Sequence, residues 1–555
     1  MARWLNFLVL LFLWEQAISC SGDKDNLDIE NKPVQAILSV SREEIPVLTR
    51  KEENHVLTLQ IKFKEQANFI VQKIGLNLKG TTELSDIESI KVMYAINPAN
   101  PQSVQPYGKL ISPANTVTFT DKLNINAAEA TFRVVVKLKD KINLLNRLNV
   151  NCDYVETSVG KFIPEEKPFP DGLRTGVALR QLGDDNVDTY RIPGLTTTKN
   201  GTLLAVYDVR RESSRDLQGD IDIGLNRSTD GGVTWEPLRI VLDKGTWGGL
   251  PQKFNGVSDA CILVDERNND IYVAGLWMYG VLDKNGNWIE GLSETSTEWE
   301  HQWRNKGSQP GFGEKQTSQF LITKSTDDGK TWSEPVNITR MCKKEDWWLW
   351  APAPGHGITL TDGTLVFPTQ GRDSTGKSFS NITWSKDGVT WKTTNPAFSN
   401  TTENMVVELS DGSLMINARH NENRNNLSSS NGRAVAVTRN LGETWTVHPT
   451  SRNTLIEPTC MASIHKHVYT ESGNRKSVLV FSNPHSKTSR DHMTIQLSTD
   501  DGNTWPCKLL LDEGKGRGYS CITSIDEKTI GILYEGSQAD MIFQKILISD
   551  IFKSK

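Results

Sequence analysis

Two hydrophobic patterns divide this chain. Up to about residue 165, apolar and polar positions alternate, as in residues 55–63 (HVLTLQIKF) and 130–138 (ATFRVVVKL). That is the period-two signature of strands with one face in a core and one in water. Beyond it, short and almost continuously apolar runs each follow a turn-forming pair. The pairs are Asn200-Gly201 before LLAVYD, Asn269-Asp270 before IYVAGLW, Asp362-Gly363 before LVFPTQ, Asp411-Gly412 before LMINAR, Ser472-Gly473 before SVLVFSNP, and Asp526-Glu527 before TIGILYE. Hairpin turns feeding buried strands produce this pattern. Six such turns predict six units.

A second repeat runs in phase with the first. Three full copies of Ser-x-Asp-x-Gly-x-Thr-Trp occupy residues 228–235 (STDGGVTW), 325–332 (STDDGKTW) and 498–505 (STDDGNTW); degraded copies occupy 385–391 (SKDGVTW) and 438–445 (TRNLGETW). In this box the Asp carboxylate folds onto nearby backbone N–H groups, the Gly supplies positive φ, and the Trp is expected to anchor its unit's core. A lone box would also suit ligand or calcium binding, but an element repeated in each unit belongs to the scaffold. The boxes recur about every 50 to 60 residues, except for one longer interval that carries an insertion of about 30 residues in the second unit. Antiparallel units of this length suit the four-stranded blades of a propeller. The expected fold is all-β: a six-bladed β-propeller over residues 166–555 and a smaller β-sandwich over 21–165.

Length agrees, since 555 residues exceed one ordinary core. A Pro-rich linker, residues 162–170, marks the boundary. The β-sandwich is read either as a carbohydrate-binding module or as a spacer packed on the propeller. A formal charge of −5, with Lys and Arg scattered, gives no reason to expect nucleic acid as a partner. Residues 1–20 read as a signal peptide, with Arg3 ahead of an apolar stretch too short to span a bilayer. Ala17-Ile18-Ser19-Cys20 resembles a lipobox, so a lipid anchor at Cys20 is expected, with plain secretion as the alternative. The expected location is the periplasm or outer-membrane surface of a Gram-negative bacterium. The six remaining cysteines are far apart and show neither a zinc pattern nor a dense disulfide framework.

The five Asp boxes, together with Tyr190-Arg191-Ile192-Pro193 before the first blade strand, resemble the bacterial exo-α-sialidases (neuraminidases) of glycoside hydrolase family 33. The likeness covers residues 175–555. A sialoside carries a carboxylate beside its anomeric carbon, so a site for it needs several cations converging on one anion, and Arg binds carboxylate bidentately. The resemblance supplies three, Arg191, Arg419 and Arg490, from different blades. It also implies Tyr519 as nucleophile, because a neutral phenol avoids repulsion by the substrate's carboxylate. Glu403 is implied as the base paired with that tyrosine, with Glu408 a competing candidate, and Asp216 as the acid/base on a loop. Glu535 resembles the carboxylate that orients Arg191. Arg210 and Asp259 match positions contacting the sugar's hydroxyl and N-acetyl groups, whereas Asp220 and Asp222 look structural.

The resemblance therefore implies retaining hydrolysis of terminal α-linked sialic acid from glycans, glycoproteins or gangliosides, with no cofactor and no metal. A trans-sialidase would share every one of these residues, and a sialic-acid-binding lectin would keep the arginines alone. The aromatic insertion at about 279–316, with Trp288, Trp299, Trp303 and Phe312, is read as a wall over the site or a flap on its own blade. The run Asp346-Trp-Trp-Leu-Trp350 is read as an N-acetyl pocket or as core.

Overall fold

The computed structural model describes residues 36–95, 103–165 and 171–554, apart from 218, 280, 286, 288 and 302–307. The leader, Cys20 and most of the Pro-rich linker lie outside the described residues. The alternating region forms a seven-stranded sheet around two long antiparallel strands, Asn54–Asn77 and Thr116–Leu138. Bulges at 62–67 and 71–73 bend this pair. Phe63 in one half therefore meets Phe69, with ring centroids 4.4 Å apart, and Phe162, 6.0 Å away along the other half. The sandwich is thus one sheet folded over, with Leu57, Leu59, Ile61, Ile74 and Phe132 buried inside.

Six blades follow. The first four-stranded blade joins Thr189–Thr197, Leu203–Arg210, Ile221–Ser228 and Arg239–Leu242. Blades 2 to 5 repeat this order, with inner strands at Val257–Val264, Leu349–Pro352, Thr401–Glu408 and Ser463–Glu471. Every predicted turn pair lies between the first and second strands of a blade.

Blade 6 departs from the pattern. Its first three strands, Ser520–Asp526, Thr529–Tyr534 and Met541–Leu547, come from the end of the chain, but its fourth is Leu173–Arg180, which precedes blade 1. This clasp closes the ring, and it explains why six turns accompany only five Asp boxes. The box is the link between third and fourth strands, and blade 6 has no such link. A further strand from the N-terminal region, Val47–Thr49, pairs in parallel with the clasp as the sheet's outer edge.

The boxes have the expected turn chemistry. Asp230 accepts from the Thr234 N–H at 2.9 Å and the Thr234 hydroxyl, while Ser228 Oγ accepts from the Gly232 N–H at 3.0 Å. Their Trp side chains differ from expectation, because several bridge blades instead of filling the core of one. Trp235 of blade 1 packs edge-on against Phe543 of blade 6 at 5.1 Å, and Trp391 of blade 3 reaches Tyr272 of blade 2 at 6.1 Å. The box residue Asp328 likewise binds Thr198, Thr202 and Arg227 of the preceding blade. Neighbouring blades each present an apolar face, so a large ring at the seam buries area on both.

Candidate active site

First strands begin and second strands end on one face of the ring, and every candidate site residue except the competing Glu408 sits there. Three inner strands carry bulges at this end, with register shifts at 191–194, 258–261 and 401–404. A bulge re-aims side chains without ending the strand. These three turn Arg191, Asp259 and Glu403 toward the axis. Ile192 has φ 63° and Asp259 φ 61°, strained values for non-glycine residues. The Arg191 bulge explains the Arg-Ile-Pro order. Ile192 turns its N–H onto Glu535 Oε1 at 2.9 Å, and Pro193 has no N–H to leave unpaired.

Glu535, directly after the second strand of blade 6, is buried and accepts from Arg191 Nε at 2.6 Å, from Ile192 N and from Tyr519 N at 3.1 Å. Burial alone would raise its pKa, but the Arg191 charge and these donors hold it below the usual carboxylate range. Glu535 therefore keeps the Arg191 fork fixed.

Tyr519 lies at the centre. Its hydroxyl donates to Glu403 Oε1, and Arg419 Nη1 reaches both Glu403 Oε2, at 2.6 Å, and the Tyr519 oxygen, at 3.0 Å. The guanidinium carbons of Arg191 and Arg490 stand 5.3 and 5.5 Å from the ring centroid. Burial, with the Glu403 charge, pushes the Tyr519 phenol well above its ordinary pKa, although Arg419 and Arg490 oppose this. The resting tyrosine is neutral, with its proton already directed at Glu403. Its flanking glycines are steric necessities. Gly518 has φ 87°, with Pro484 Cγ 2.7 Å from where a Cβ would stand, and a Cβ on Gly516 would strike the Glu535 carbonyl.

The competing Glu408 lies at the far end of the same strand, where it accepts from Thr361 N at 3.0 Å and Thr361 Oγ1 at 2.8 Å. Of the two glutamates, only Glu403 touches Tyr519. Arg490 is held by carbonyls: Nη1 donates to Arg517 O at 2.9 Å and Nη2 to Thr459 O at 3.3 Å. Arg419 Nε is buried with no hydrogen-bond partner.

Across the cleft, Arg210 ends its strand between two carboxylates, Asp208 at 2.9 Å and Asp216 at 2.6 Å. Asp216 is exposed on its loop, which Leu217 anchors by packing with Leu276, Met278, Leu349 and Ala351. The protein crowded around the cleft would raise the Asp216 pKa by partial desolvation, but Arg210, Arg191 and Arg419 outweigh it and hold the carboxyl below its ordinary value. Asp259 receives an N–H from Gln370 at 3.2 Å. Desolvation and the charges of Asp208, Glu403 and Asp216 push it well above the ordinary range. Asp220 and Asp222 hold Arg211, at 3.6 and 2.7 Å. Sequence reasoning missed Asp208, which Ser258 Oγ also binds at 2.6 Å. The available signal was a carboxylate inside the otherwise apolar run LLAVYD.

The other aromatic candidates serve packing. Trp350 stacks on Phe320 at 4.6 Å and Trp347 meets Phe379 at 4.5 Å, both in the core. Trp299 of the insertion packs on Phe254 of its own blade at 4.8 Å, and Phe312 lies under Arg340. Trp288 and Trp303 lie outside the described residues. All six described cysteines are free and buried.

Residues 192–523 match the family described as BNR repeat-like domain, and residues 35–161 match the N-terminal domain of BNR-repeat neuraminidase. A sialidase of Bacteroides fragilis is 39% identical over 540 residues, spanning 92% of this chain and 94% of that protein. A sialidase of Paraclostridium sordellii is 30% identical over 426 residues, spanning 73% and 94%. The solved structure of a Hadza microbial sialidase superposes with a TM-score of 0.82 at 36% identity, covering 92% of this chain and all of that one. With its propeller, its N-terminal sheet and its likeness running nearly end to end, the chain belongs to the BNR-repeat neuraminidases, the sialidases among glycoside hydrolases.

Proposed function

We propose that the protein releases terminal α-linked sialic acid from sialylated glycans with retention, through a tyrosyl-enzyme intermediate. The observation that carries this reading is the Tyr519–Glu403–Arg419 contact: a buried phenol with its proton directed at a carboxylate and a cation on its oxygen. The sialic carboxylate would sit against Arg191, Arg419 and Arg490, and it would satisfy the unpartnered Arg419 Nε. The Tyr519 oxygen then attacks the anomeric carbon as its proton passes to Glu403, while Asp216 protonates the departing oxygen. Water then attacks the anomeric carbon and gives its proton to Asp216, and the departing Tyr519 oxygen takes its proton back from Glu403.

The free protein holds Asp216 ionised, so its role as an acid depends on the substrate. An incoming carboxylate cancels positive charge on the arginines that depress Asp216 and so raises its pKa toward one suited to proton donation. Proton NMR of sialyllactose hydrolysis should show the α-anomer first, and Tyr519→Phe should reduce turnover about a thousandfold or more. First release of the β-anomer, or near-normal turnover in the variant, overturns the reading.

A further inference from the structure

A groove of about 580 Å³ opens on the catalytic face and runs outward over blade 6, from Arg517 and Glu535 near the axis to Lys51 at the rim. Lys51 belongs to the N-terminal region. The strand Val47–Thr49 runs parallel to the clasp, so the turn after it emerges on the same face as the end of the clasp. That turn is pinned there: Gln181 Nε2 donates to Arg50 O at 2.9 Å, and Lys51 Nζ donates to Gln538 O at 3.0 Å. The inner end is equally fixed, because Arg490 grips the Arg517 carbonyl while the Gly516 N–H donates to Arg490 O at 3.0 Å. The Arg517 side chain therefore projects from a rigid loop.

The groove is cationic and unbalanced. Lys51, Lys515 and Arg517 line it against two carboxylates, of which Glu535 is committed to Arg191 and Asp540 accepts the Tyr190 N–H at 3.0 Å. Among the described residues, neither Lys515 nor Arg517 has a carboxylate within ion-pair distance, and Arg517 Nη1 is buried with no hydrogen-bond partner. Burial, and then the charge of Arg191, depress the Arg517 pKa, although the nearby carboxylates Asp540 and Glu535 oppose this. A buried guanidinium donor left unpaired is a costly arrangement that an anionic ligand would relieve.

We propose that this groove is a subsite for an anionic group, a carboxylate or a sulfate, on the glycan beyond the cleaved bond. The sialic carboxylate itself is committed to the Arg191, Arg419 and Arg490 cluster, so a second anion must come from the leaving portion. The inference rests on the sialidase reading above, and it makes the N-terminal region a contributor to substrate choice through Lys51.

The test compares kcat/KM for sialyllactose, for a disialyl-lactose with an α2,8-linked pair, and for sialyllactose sulfated on its galactose. Relative to sialyllactose, Arg517→Gln should lower kcat/KM for a charged substrate about tenfold, chiefly through KM. Lys51→Ala should lower it about twofold and leave sialyllactose itself unchanged. A loss confined to the disialyl substrate identifies the anion as a carboxylate, and one confined to the sulfated substrate as a sulfate. Ratios that stay constant in both variants, or an equal loss on all three substrates, overturn the subsite. If the unaltered protein releases no sialic acid from sialyllactose, the failure lies instead with the sialidase reading.

Discussion

The two mouths of the propeller axis differ in how their polar groups are held. The mouth away from the catalytic face holds a cavity of about 1000 Å³, lined among others by His356, His465, Arg267, Lys466, Asp362 and Glu408. Several of its charged groups have local partners, although the buried His356 Nε2 has none. Arg267 pairs with Asp265 at 2.7 Å, Asp362 accepts from the Thr364 N–H at 2.9 Å, Glu408 is bound by Thr361, and burial keeps both histidines below their usual pKa and so neutral. At the catalytic mouth, guanidinium nitrogens of Arg419 and Arg517 are buried without partners and Asp259 sits among like charges. Groups held away from their electrostatic optimum mark the site.

The most severe way to probe this contrast is Arg419→Gln, which removes the cation shared by Glu403 and Tyr519. Removing one partner of a buried, hydrogen-bonded charge pair with a ligand costs about 2–5 kcal/mol of binding, so kcat/KM on a fluorogenic sialoside should fall about a thousandfold. A loss under tenfold would mean that the catalytic mouth does not depend on its charges. Asp259→Asn sharpens the contrast through stability. A folded-state pKa above the unfolded value means that Asp259 favours the fold below about pH 4, and that this contribution is lost as pH rises toward the folded pKa. Asn carries no such penalty, so at pH 7 the variant should melt about 1–2 °C higher, with no gain at pH 3. Calorimetry at both pH values decides, and a lower melting temperature at pH 7 refutes the strain. The smallest effect belongs to the far mouth. His465→Gln, which keeps a hydrogen-bonding partner for Ser524 Oγ, should leave kcat/KM within about twofold. A loss comparable to that of Arg419→Gln would end the distinction between the mouths.

Local chemistry made much of this legible. Turn pairs and Asp boxes specify their own backbone geometry within a few residues, so the blades and their phase follow directly from the chain. Arg191, Glu403 and Tyr519 were legible only through resemblance, since nothing local distinguishes Glu403 from Glu408; the difference is which end of one strand each occupies. The clasp was not legible, because Leu173–Arg180 is an ordinary apolar run until it pairs with a strand some 360 residues later. Lys51 was hidden for the same reason. Its place is set by a parallel pairing with the clasp, and exposed lysines carry no local signal of what they face.

The clasp also governs time. At about 5–20 residues per second, synthesis of the strands that complete blade 6 trails that of the clasp by on the order of half a minute. Throughout that interval the clasp is an apolar strand with no blade to join, the kind of edge that recruits other chains. The segments at Val47–Thr49 and Arg147–Leu148 are made earlier, and both pair with it. The partners that the N-terminal region offers the clasp are thus made before it, and those that the last blade offers are made long after it.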